Sequence, residues 1–85
     1  MPRYHFDLHD GQCHTADDEG LELPTVQAAH EEAARTLAEL ARDTMRRATT
    51  RLLPYRMVLE VRDTNGPVLR ATCTIEVETI GLGGT

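Results

Sequence analysis

Residues 25–48 read TVQAAHEEAARTLAELARDTMRRA, and the spacing of their apolar side chains decides the fold. Val26, Ala29, Ala33, Leu37, Leu40, Ala41 and Met45 recur mostly at intervals of three and four, which is the stripe of an amphipathic helix with about 3.6 residues per turn. Thr25, directly after Pro24, is suited to cap the first turn, because its hydroxyl can accept an otherwise unpaired backbone N–H. Glu31 and Glu32 lie nearer the positive N-terminal end, and Arg42, Arg46 and Arg47 lie near the end that favours cations. No other long helical pattern exists, so one helix must cover whatever sheet the flanking strands build.

Ahead of the helix, RYHFDLH at residues 3–9 alternates, with Tyr4, Phe6 and Leu8 on one face and His5, Asp7 and His9 on the other. This is the pattern of a half-buried strand. Asp10-Gly11 then signals a two-residue hairpin turn. Used that way, the turn pairs Leu8 with Cys13, Asp7 with His14, Phe6 with Thr15 and His9 with Gln12. The second strand, over residues 12–16, has weak propensity and reads as an edge. Asp17-Asp18-Glu19-Gly20 forms a solvated acidic turn, without the oxygen-ligand spacing of a calcium loop. Leu21 and Leu23 lead into the helix.

Beyond the helix, residues 49–54 are a connection, since Pro54 cannot sit within a central strand. Met57, Leu59 and Val61 then share one face, and Leu69, Ala71, Cys73, Ile75 and Val77 share another. A one-residue slip would turn every side chain over, so matching these faces demands an odd-length loop around Asn65-Gly66. Asn65-Gly66-Pro67, or a five-residue variant, sets Leu59 opposite Cys73, Val61 opposite Ala71 and Arg62 opposite Arg70. The predicted architecture is α+β, in the order β-β-α-β-β. Two antiparallel hairpins are joined by one long helix packed on one sheet face, giving a single domain over residues 1–80 and a glycine-rich tail over 81–85.

Composition narrows the function classes. A chain of 85 residues with no Trp, one Phe and two Tyr has a small aliphatic core and buries only about 60–65% of its unfolded surface. Association with another chain is a natural remedy. The net charge is −5 and all nine basic residues are Arg, a poor composition for general phosphate binding. Two cysteines make no disulfide scaffold; Cys73 reads as a small core residue. The opening MPRYHFD has no apolar signal region and no run is long enough to span a bilayer, so the cytoplasm is expected.

MPRYHFDLHDG, DDEGLELPTVQAAHEEAARTLAEL and VLEVRDTNGPVL together resemble a family of short bacterial proteins of unknown function. Its members open with an MPRYxFD-type strand and carry an EGxELP lead-in to the helix. The resemblance spans about residues 1–78, and its most specific parts are the opening strand and residues 20–24. One departure is His5, where the family more often has an aromatic residue. The resemblance implies an intracellular single-domain protein and assigns no catalytic residue.

The most chemical-looking feature is the outward face of the first hairpin. Three of the four histidines, His5, His9 and His14, fall within ten residues. Strand neighbours i and i+2 lie about 6.6 Å apart and i and i+4 about 13 Å, so His5 and His9 cannot share one ion. Asp7, His9 and His14 could hold zinc or another first-row metal, given the Asp7–His14 pairing. Arg42, Arg46 and Arg47 form a basic streak on the helix, but the acids interleaved with it argue against a nucleic-acid stripe. No nucleophile–base spacing, phosphate loop or Cys-x-x-Cys appears. The sequence therefore predicts a non-enzymatic interaction or accessory protein without a cofactor, acting as a homodimer or bound to another protein. Metal or small-ligand binding through Asp7, His9 and His14 is the alternative, with nucleic-acid regulation through the helix arginines third.

Overall fold

The helix forms where the apolar periodicity places it, and it fixes which side of the sheet is buried. The computed structural model describes residues 1–11, 13–47 and 55–82. The elements are β1 (Arg3–Asp10), β2 (Cys13–Thr15), β3 (Leu21–Glu22), α1 (Val26–Arg47), β4 (Tyr55–Asp63) and β5 (Gly66–Ile75). The protein is α+β, with one antiparallel sheet in the order β2-β1-β4-β5 and β3 added beside β1. The expected order is thus enlarged by one short strand. Leu21 and Glu22 do not simply lead to the helix; they pair with Tyr4 and Arg3. The connection at residues 49–54 and the end of the glycine-rich tail lie outside the described residues.

Thr25 caps α1: its hydroxyl accepts the Ala28 N–H at 3.0 Å and its carbonyl accepts the Ala29 N–H at 3.2 Å. Ala29, Ala33, Leu37 and Ala41 are buried, with Leu40 and Met45 packed at the margin. Val26, expected on the buried stripe, is exposed, because burial begins one turn later at Ala29. The small side chains at 29 and 33 bring the helix close to Met57, Leu59 and Val61 of β4, which are 0–1% exposed. Tyr4 and Tyr55 complete this cluster, and Leu23 packs against it from the helix lead-in.

Both hairpins keep the predicted faces but change register. In the first, Leu8 pairs with Thr15, His9 with His14 and Asp10 with Cys13. β1 runs on to Asp10 because β4 pairs with it that far, Asp10 lying opposite Met57, so the turn moves one residue along the chain. The Asp7–His14 pairing is therefore absent, and the expected His9–Gln12 pair involves a residue outside those described. In the second hairpin, Leu59 pairs with Ala71 and Val61 with Leu69, two residues from the expected partners. A two-residue turn closes it between Asp63 and Gly66. The Asp63 carboxylate accepts the Asn65 N–H at 2.8 Å, an Asx turn, and Gly66 adopts φ +119°. The odd residue that the matched faces require is supplied by a β-bulge at Val68, between the Arg62–Pro67 and Val61–Leu69 pairs.

The Tyr55 hydroxyl is buried with no hydrogen-bond partner among the described residues. Burial, together with the nearby Asp10 carboxylate, pushes its pKa upward. With no hydrogen bond to lose among the described residues, Tyr55→Phe should change unfolding free energy by less than about 1 kcal/mol or raise it. Ala33→Leu, at a site 1% exposed, should cost about 1–3 kcal/mol by overpacking, while Gln27→Leu on the exposed side should stay within about 0.5 kcal/mol. Urea denaturation measures all three.

Candidate functional site

The outer sheet face, away from α1, carries His5, Asp7 and His9 from β1 and Arg56, Val58, Glu60 and Arg62 from β4. Asp7 is the one buried charged residue there, 8% exposed. Its carboxylate accepts from Arg62 Nε at 2.7 Å and from the Asp17 N–H at 2.9 Å, with Arg62 Nη2 at 3.4 Å. Arg62 Nη2 also donates to the Asp17 carbonyl at 3.1 Å. His5 Nδ1 lies 3.0 Å from that same carbonyl, which requires the proton on Nδ1.

The Asp17 side chain does the work of a missing strand. β2 pairs with residues 8–10 of β1 and β3 with residues 3–4, leaving a gap between them. In that gap the Asp17 carboxylate accepts the Phe6 N–H at 3.0 Å. It also accepts the Glu19 and Gly20 N–H groups at 3.2 and 3.1 Å, closing its own turn. The acidic turn is thus not simply solvated, as the sequence suggested. Gly20 sits at φ +74°, where an added Cβ would meet Arg3 Cγ at 2.8 Å, His5 Cε1 at 2.9 Å and the Tyr4 carbonyl at 3.0 Å. Burial raises the pKa of both Asp7 and Asp17, but their hydrogen bonds outweigh it. Arg62 with the Asp17 N–H holds Asp7 below the usual carboxylate range, and three backbone donors do the same for Asp17.

The register brings two of the candidate metal residues, His9 and His14, together and commits Asp7 to other partners. Asp7 is engaged by Arg62 and the Asp17 backbone, while His14 lies opposite His9 with the two rings stacked, centroids 4.2 Å apart and planes 10° from parallel. Among the described residues no three His, Cys, Asp or Glu side chains are grouped to hold a metal ion. Nor do Arg62 and Arg70 face each other. Arg70 lies opposite Glu60 and bonds it at 2.9 Å, so the like-charge conflict never arises. On α1, Arg35 pairs with Glu32 at 2.7 Å. Arg42 and Arg46 share a shallow surface with Glu39 and Asp43.

The remaining feature is the far edge of the sheet. β5 has no strand beside it other than β4 among the described residues. An open groove runs along it, lined by Ala34, Leu37 and Ala38 of α1 and Ala71 and Cys73 of β5. Residues 76–82 follow β5 without pairing, and Val77, Ile80 and Leu82 are 74%, 92% and 104% exposed. The Arg62 and Asp17 roles escaped the sequence reading. A usable signal existed for Asp17, since its carboxylate takes N–H groups two and three residues on, at Glu19 and Gly20, as an Asx turn does.

Residues 3–74 match the family described as a domain of unknown function, DUF6894, and the chain belongs to that family. No curated protein and no solved structure matches the chain. No helix among the described residues is long and apolar enough to cross a membrane.

Because folding lowers both aspartate pKa values, their stabilisation is fully present above the ordinary value of 3.8 and is lost as pH falls through the lower folded values. Asp7→Asn should flatten this acid loss in pH-dependent urea titrations, and Asp7→Ala should cost about 1–3 kcal/mol at neutral pH. Gly20→Ala combines an unfavourable φ with a clash and should cost about 1–3 kcal/mol. Gly11→Ala, at φ +64° with open space around it, should cost only about 1 kcal/mol. Thermal melts of the two glycine variants make the comparison.

Proposed function

We propose that this protein is a non-enzymatic interaction module that works by presenting the β5 edge, and the apolar segment after it, to another polypeptide. The observation that carries this reading is the exposure of Val77, Ile80 and Leu82 directly beyond a strand whose outer edge has no partner among the described residues. Open edges are liabilities that proteins blunt with charge, proline or cover. β5 has Pro67 and a bulge only at its beginning, and no strand among the described residues lies along the outer edge of its later part. Strand addition to such an edge supplies backbone hydrogen bonds together with side-chain pockets. A small core gains burial from the same event.

Metal binding through Asp7, His9 and His14 ranks below this reading, because Asp7 is already neutralised by Arg62. Nucleic-acid binding through Arg42, Arg46 and Arg47 ranks below it because Glu39 and Asp43 share the surface with Arg42 and Arg46. The unpaired cysteines suit a reducing compartment, and we assign the protein to the cytoplasm.

Native mass spectrometry at tens of micromolar should show a dimer, and Val77→Asp combined with Ile80→Asp should shift it to monomer. A dimer indifferent to both changes contradicts the reading, and a wild-type chain that is monomeric throughout this range contradicts self-association as its form.

A further inference from the structure

We infer that the polypeptide accepted by the β5 edge is a second copy of this chain, paired antiparallel in the register that sets Cys73 against Cys73. This rests on the interaction reading above and specifies its partner and geometry. A twofold axis through the edge makes the contact self-complementary and closed, as most homodimers are. Such an axis necessarily pairs β5 with its copy antiparallel.

The register follows from side-chain matching. On β5 from Leu69 onward the odd-numbered residues face the helix side and the even-numbered ones the outer side, and this alternation continues into residues 76–78 if the strand is prolonged. Centring on Cys73 places Leu69 opposite Val77 and Ala71 opposite Ile75 on the inner face. On the outer face it places Arg70 opposite Glu76 and Thr72 opposite Thr74. Every pair is then apolar with apolar, hydroxyl with hydroxyl, or opposite in charge, the combinations that stabilise neighbouring strands. Centring on Thr72 instead leaves Arg70 against Thr74, with no carboxylate opposite it. Centring on Thr74 pairs Arg70 with Glu78 but leaves Leu69 against Thr79 and Thr72 against Glu76.

Three further observations agree with this register. The matched span, residues 69–77, begins just past the Val68 bulge and Pro67, where regular pairing becomes possible. The Arg70 side chain is 64% exposed while bonded to Glu60, so it can take a second carboxylate without losing the first. Ala34 and Ala38, one turn apart beside the edge and both exposed, present only methyl groups to the second copy's helix and leave room for its approach.

The register is tested by charge reversal. Arg70→Glu and Glu76→Arg should each weaken dimerisation at least about ten-fold, equivalent to about 1.4 kcal/mol, because each places like charges across the axis. Mixing the two variant chains should restore dimerisation as a heterodimer, since 70 and 76 then oppose in sign at both contacts. In a Cys13→Ser background, which leaves Cys73 as the sole thiol, a short bis-maleimide should link two chains through Cys73. A dimer that withstands both reversals and gives no Cys73 link overturns the register while leaving the interaction reading intact. A chain that stays monomeric at every concentration overturns the second copy as the occupant of the edge. Because Arg70→Glu also opposes Glu60 within the chain, circular dichroism of each variant accompanies the assay. Glu76→Arg, outside the intrachain pairs, and the Cys73 link decide the matter if Arg70→Glu unfolds.

Discussion

A carboxylate removed from water must find partners, and Asp7 finds them on two different pieces of the chain. Arg62 comes from the neighbouring strand and the Asp17 N–H from the loop on the other side. Breaking such a set leaves an uncompensated charge, so the three groups stand or fall together. The arrangement joins β1, β4 and residues 16–20 across the outer face, which no helix among the described residues covers. It also aims the Asp17 carboxylate at the Phe6 N–H, in the middle of the stretch of β1, residues 5–7, that neither β2 nor β3 reaches.

The two long edges of the sheet consequently differ in kind. Beside β1, two very short strands and one carboxylate close the edge, and acidic Asp18 and Glu19 surround it. Short strands and charge are standard protection against unwanted pairing. Beside β5, the strand is ten residues long and continues into a segment bearing Val77, Ile80 and Leu82. The proposed function rests on this asymmetry: one edge is closed by the chain itself and the other is open among the described residues, and it is there that we propose a second polypeptide docks. Gly20 belongs to the closed side, because its backbone conformation and the crowding by Arg3, His5 and Tyr4 leave no room for a side chain.

The helix and the buried face of each long strand were legible because periodicity directly reports burial. Ala29, Ala33, Leu37, Met57, Leu59 and Val61 all lie where their spacing puts them. The parity argument for the second hairpin also held, since its faces match. Its agent was misplaced: the extra residue is a bulge at Val68, not part of the loop. Turn positions were missed because they depend on how far β4 extends each pairing, a tertiary matter that local Asp-Gly and Asn-Gly signals do not contain. That same two-residue displacement dissolved the expected Asp7–His14 pair and the expected Arg62–Arg70 conflict. β3 was missed because two residues carry no period, and the Asp7–Arg62 pair because 55 positions separate its partners.

Residue-resolved amide hydrogen exchange, followed as a function of protein concentration, tests both edges at once. The Phe6 and Gly20 amides, bonded to the Asp17 carboxylate, should be protected equally in dilute and concentrated samples. The alternate β5 amides that do not bond to β4 should exchange freely when dilute and gain protection at least about ten-fold as the second copy binds. Equal protection of all β5 amides at every concentration, or free exchange at Phe6 and Gly20, would contradict the account.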